Sequence, residues 1–91
     1  MLTIPDGVYY IDECAFSGMG TLQNVSLPNT LRKIGFAAFN WDNLSSIIIP
    51  SSVTEIDGEA FRLNQITTVT IPNSSAVVNS TAFDPSVKVV R

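Results

Sequence analysis

Four short segments of this chain place apolar residues at alternate positions: Leu2-Thr3-Ile4, Val25-Ser26-Leu27, Ile47-Ile48-Ile49 and Val69-Thr70-Ile71. A period of two predicts strands with one buried face. In the third segment the outward place also holds an isoleucine, Ile48. Each segment runs into a proline, at Pro5, Pro28, Pro50 and Pro72. Proline has no N–H to give a ladder, so it closes each strand. Three and six places after the proline stand further apolar residues, Val8/Ile11, Leu31/Ile34 and Val53/Ile56. They predict a second short segment on the opposite wall of a coil. The fourth unit keeps Val78 but carries Ser75 in place of the first aliphatic. A turn residue follows, Asp12, Gly35, Asp57 or Asn79, all types that tolerate turn or left-handed geometry. An Ala-Phe pair then closes each unit, at Ala15-Phe16, Ala38-Phe39, Ala60-Phe61 and Ala82-Phe83.

The four prolines lie 23, 22 and 22 residues apart. A fixed period in this range predicts a solenoid, whose units bury their apolar faces only by stacking on one another. The chain reads as a single domain, residues 1–91, with repeats at approximately 1–21, 22–43, 44–65 and 66–91. The four alternating segments are expected side by side in one parallel sheet, one strand per repeat, spaced by roughly 4.8 Å. Phe should stack on its copies from rung to rung, and Ala is small where backbones pass closely. Met19, Trp41 and Leu63 each precede the next leading aliphatic by three places, which assigns all three to the core. That alignment puts the extra residue of the first repeat at Ser17-Gly18. After Phe83, Asp84-Pro85-Ser86 leads into an apolar stretch from Val87 to Val90, expected as a final partial strand.

The recurring L-x-x-[VI]-x-[IL]-P-x-x-[VL]-x-x-I-[GD]-x-x-A-F pattern resembles the BspA-like (Treponema pallidum-type) leucine-rich repeat family, and it does so over residues 2 to 90. The resemblance implies a leucine-rich-repeat solenoid of the α/β horseshoe class, here mostly β. It implies a right-handed coil with a parallel sheet on the concave side and short strands or turns on the convex side. It further implies a non-catalytic interaction module of a bacterial or protozoan cell-surface or secreted protein. Such a module adheres to host, matrix or microbial partners, with protein as the expected ligand and glycan as a second class. The family's repeat residues are structural, so the resemblance carries over no catalytic site. Leu2 and Ile4 already occupy strand positions, and no basic segment followed by an apolar one opens the chain. The expectation is therefore a fragment of a longer protein, located at the cell surface or secreted.

Composition removes most other functions. Apolar residues make up 45% of the chain and charged residues 14%, with a net charge of −3. The five basic residues are scattered, so there is no nucleic-acid footprint. No apolar stretch approaches the ~18–20 residues that span a bilayer. Without histidine there is no Ser-His-Asp or Cys-His arrangement and no imidazole metal ligand. Cys14 is alone, without a base in reach by sequence, and reads as a partly buried repeat variant. Glu55, Asp57 and Glu59 are too few oxygen ligands for calcium and read as a solvated face. No glycine-rich phosphate loop is present. No enzymatic activity, cofactor or metal is expected.

Two sets of residues remain for binding. Outward positions on the predicted sheet form an uncharged, hydroxyl-rich stripe of Thr3, Asn24, Ser26, Ser46, Ile48, Thr68 and Thr70. Concave solenoid faces are the usual binding surfaces. Tyr9, Tyr10 and Phe36 fall at convex positions and are candidate aromatic contacts. The alternative to binding is a structural spacer, or an accessory repeat domain with no ligand of its own. Both solenoid ends expose unpaired strands, which predicts end-to-end self-association or a dimer.

Overall fold

A computed structural model describes residues 1–91 as a helix-free coil of eight short strands. They are β1 (Leu2–Thr3), β2 (Tyr10–Ile11), β3 (Val25–Ser26), β4 (Lys33–Ile34), β5 (Glu55–Ile56), β6 (Thr68–Thr70), β7 (Val77–Val78) and β8 (Lys88–Val90). Every pairing is parallel. β2, β4, β5 and β7 form one four-stranded sheet in that order, with Ile11, Ile34, Ile56 and Val78 in register. The registers advance by one repeat at each step, so each unit is one rung of a stack.

The continuous sheet therefore lies on the second wall, built from the segments after the prolines. The first wall was expected to carry it, and the structure corrects this. There β1 pairs with β3, and β6 with β8, as two separate two-stranded ladders. No backbone hydrogen bond involves residues 45–49. Ile47 and Ile49 are still buried and Ile48 exposed, so the side chains keep the alternation of a strand while the backbone stands unpaired. Ser45, Ser46 and Ile48 are exposed, which lets water reach this part of the backbone. Three consecutive β-branched residues have the highest strand propensity of the four segments. Propensity does not set inter-rung spacing, and spacing decides whether a ladder closes.

The rungs are held together elsewhere. Of 40 backbone hydrogen bonds, only 6 run between strand residues, and the other 34 include bonds that join turn to turn across the rungs. Along the Ala-Phe edge, Phe16 N–H donates to Ala38 O, Phe39 N–H to Ala60 O and Phe61 N–H to Ala82 O, at 2.8, 2.8 and 2.7 Å. Below them the four phenylalanines form one column. Centroids are 5.3, 5.3 and 5.2 Å apart, and planes are inclined by only 12°, 7° and 7°. One core of nineteen buried residues runs through all four rungs, including Leu31, Ile34, Leu44, Val53, Ile56, Val69 and Ile71. Repeat four compensates for Ser75 by burying its neighbour Ala76.

Gly35 shows how close the first two rungs lie. A methyl group there would stand 2.7 Å from Ile11 O and 2.8 Å from Glu13 N, so no side chain fits. The left-handed residues do not fall at Asp12, Gly35, Asp57 and Asn79, as turn chemistry suggested. Apart from Gly7, they fall two residues later, at Cys14, Ala37 and Glu59, and again at Gly18, Trp41 and Leu63.

That second set realigns the corner. Gly18 N–H donates to Asn40 O and Trp41 N–H to Arg62 O, so Gly18, Trp41 and Leu63 are equivalent. The extra residue of repeat one thus lies between Gly18 and Leu22, not at Ser17-Gly18. Trp41 is not a core residue. It is 67% exposed and Leu63 51%, because a left-handed residue at the end of the turn aims its side chain off the coil, and Met19, assigned to the core with them, is exposed as well. Cys14, read as partly buried, is exposed on the first rung, whereas its left-handed counterpart Ala37 on the second is buried. The stretch after Pro85 does form the expected last strand, β8, with Thr68 opposite Lys88.

Candidate binding surfaces

On the first wall, the strand pleat sends alternate side chains outward. Thr3, Asn24, Ser26, Ser46, Ile48, Thr68 and Thr70 are all exposed, so the structure brings the seven to one face. Six of them are small and polar. Ile48 is 84% exposed, a large apolar side chain that no packing accounts for. A groove of about 360 Å³ runs between rungs two and three, lined by Val25, Ser26 and Leu27 on one side and Ser46, Ile47 and Ile48 on the other. It lies along the unpaired segment.

The second wall is different in chemistry. Outward from its sheet stand Tyr10, Lys33, Glu55 and Val77, one per rung and in direct register. Lys33 Nζ lies 3.4 Å from Glu55 Oε2 and 3.5 Å from Asp57 Oδ2. The Glu55 hydrogen bond, followed by the charge of Asp57, raises the Lys33 pKa above its ordinary value. The attraction is fully present below the ordinary lysine pKa and is lost as pH rises through the raised one. At this exposed site it is screened and adds little to stability. Tyr10 and Phe36, both exposed, border a broad depression of about 910 Å³ that also includes Lys33, Glu55 and Asp57. Tyr9 is exposed but does not line this depression. Glu59 stands apart from the Lys33 group, and no set of three or more acidic, histidine or cysteine side chains is arranged to hold a metal.

Two polar side chains that the periodicity did not single out hold the corner after the Ala-Phe edge. Asn64 Nδ2 donates to Phe39 O at 2.8 Å and Phe61 O at 3.0 Å, while its Oδ1 accepts Leu44 N–H at 2.9 Å. One amide thereby ties two rungs. Asp42 is the one charged residue buried in the molecule, at 4% exposure. Its Oδ1 accepts Met19 N–H at 2.7 Å, and its Oδ2 has no partner. Burial raises its pKa, with the Met19 hydrogen bond pulling the other way. The only signal in the sequence was that Asp42 and Asn64 fall fourteen places after their prolines.

The comparison with known families gives one match. A family model described as a BspA type leucine rich repeat region of six copies matches residues 1–90. No curated protein and no solved structure matches the chain. No helix is long and apolar enough to cross a membrane.

Proposed function

This chain belongs to the BspA-type leucine-rich repeat family, and we propose that it is a non-catalytic interaction module holding a protein partner along its first wall. The observation that carries this reading is Ile48, 84% exposed among six exposed polar residues. An apolar residue centred in a polar rim is the usual plan of a binding patch, and concave solenoid faces are the usual place for one. The hydroxyls of Ser26, Ser46 and Thr70 supply hydrogen bonds around it. The setting proposed is adhesion at a cell surface or outside the cell, a reading supported by the family to which the chain belongs. The second contact proposed is stacking of a further rung on a strand edge. Val89 and Val90 are exposed and the outer edges of β1 and β8 are unpaired, so another rung can stack there.

The test uses purified extracellular-matrix and cell-surface proteins immobilised in wells. A Ser26→Lys, Ile48→Lys, Thr70→Lys variant is compared with a Thr54→Lys, Val77→Lys control on the second wall. Binding lost in the first and kept in the second supports the first-wall reading. Binding kept in both overturns it. If the native chain binds none of these proteins, the spacer reading takes its place.

A further inference from the structure

The corner of the coil carries a surface that neither wall explains. Trp41 is the only tryptophan of the chain, and it stands 67% exposed beside Leu63 on the next rung. Trp41 N–H donates to Arg62 O at 2.9 Å, so the backbones at Trp41 and Leu63 sit one rung apart, roughly 4.8 Å. Both residues are left-handed, φ 58° and 62°, and the equivalent residue of the first repeat is glycine. The backbone there favours glycine, and a tryptophan gains no burial in return. Beside them lies a shallow pocket of about 460 Å³ whose remaining lining includes Asp42, Asn43, Gln65 and Asp84.

We propose that this corner is a subsite for a neutral sugar, with the Trp41 ring as its platform. A pyranose has an apolar C–H face, which stacks on an indole, and a rim of hydroxyls, which need donors and acceptors. The side-chain amides of Asn43 and Gln65 make no hydrogen bond within the protein, so they are free to serve as both. No lysine or arginine lines the pocket, which disfavours acidic sugars and phosphates. A basic side chain would also stack on Trp41, but it needs a free carboxylate at the rim. Asp84, which shares one backbone N–H from Leu63 at 3.2 and 3.0 Å, is the one lining carboxylate a cation could reach, since Asp42 lies beneath the surface, and trilysine is therefore the competing ligand in the test.

The single tryptophan makes the test direct. Neutral trisaccharides of glucose, galactose, mannose and N-acetylglucosamine are titrated to millimolar concentration while Trp41 emission is followed, with trilysine in parallel. The expected result is a saturable blue shift with at least one sugar and none with trilysine. Binding of that sugar, measured by calorimetry, should weaken about tenfold or more in Trp41→Ala and severalfold in Asn43→Ala or Gln65→Ala. Trp41 is exposed, so the variant should keep its thermal midpoint, which checks that it is folded. No shift with any of the sugars overturns the proposal, and so does a shift with trilysine alone. Because the corner lies away from the first wall, the lysine variants of that wall should leave sugar binding unchanged.

Discussion

Phe39 and Phe61 lie ring over ring, with centroids 5.3 Å apart and planes 7° from parallel. Rung spacing imposes this near-parallel overlap. Neighbouring rungs are fixed close to strand separation by hydrogen bonds on either side of the column, so identical side chains in identical rotamers must stack. The phenylalanine column therefore reports the register of the whole coil. Phe39 is fully buried and Phe61 is 1% exposed, so each fills space between two neighbours.

Truncating the middle of the column removes contacts on both sides at once. Phe61→Ala should cost about 3–5 kcal/mol, as for a buried aromatic whose cavity cannot collapse. Phe16→Ala, at the partly buried end of the column, should cost much less. Chemical denaturation of both variants checks the ratio.

Gly35 and Gly58 separate close packing from ordinary packing. A methyl at Gly35 meets backbone, Ile11 O at 2.7 Å, which cannot move without parting two rungs. At Gly58 the nearest atom is the Thr81 hydroxyl at 3.1 Å, an exposed side-chain atom that needs to yield only a few tenths of an ångström. Gly35→Ala should lose about 1–3 kcal/mol, in the range of overpacked sites. Gly58→Ala should stay close to the native thermal midpoint.

Asn64 satisfies three backbone groups from two rungs with one side chain. Asn64→Ala leaves them without partners and should cost about 1–3 kcal/mol. Replacing Gln65, exposed and next in sequence, with alanine should change stability little.

Asp42 makes stability depend on pH in an unusual direction. Its pKa is raised in the fold by burial, so folding favours the protonated form. The folded state thus binds more protons at this site than the unfolded chain. The site costs stability as pH rises through the unfolded and then the raised folded pKa, and that cost vanishes in acid. Asp42→Asn keeps an oxygen acceptor for Met19 N–H and cannot ionise. Its thermal midpoint should gain on the native protein between pH 4 and pH 7. A difference that stays constant over that range would contradict the assignment.

Much of this architecture is legible in one pass along the chain. The prolines, the Ala-Phe pairs and the aliphatics between them recur at fixed spacing, and every stacked phenylalanine is one of those pairs. What escaped has physical reasons. Spacing from the next aliphatic equated Trp41 with Met19, whereas the hydrogen bonds equate it with Gly18. Backbone conformation, not hydrophobicity, decides that Trp41 points outward. Asn64 acts through three hydrogen bonds that no periodicity encodes. The unpaired backbone at residues 45–49 sits in the best strand-forming triplet of the chain, because ladder closure depends on neighbours held elsewhere. Of the candidate faces, the pleat placed the first-wall residues together. Of the three aromatics, Tyr10 and Phe36 share one depression and Tyr9 stands outside it.

The account rests on one division, a closed second wall and Ala-Phe edge against a first wall left open at Ile48. Amide hydrogen exchange read residue by residue by NMR tests it most directly. Gly35, Phe39, Asp57 and Phe61 donate to the neighbouring rung at 2.8, 2.8, 3.0 and 2.7 Å and should exchange slowly. The amides of Ile47, Ile48 and Ile49 should exchange far faster, although two of the three side chains are buried. Protection of Ile47 and Ile49 equal to that of Asp57 would show a closed four-rung ladder on the first wall and contradict the account.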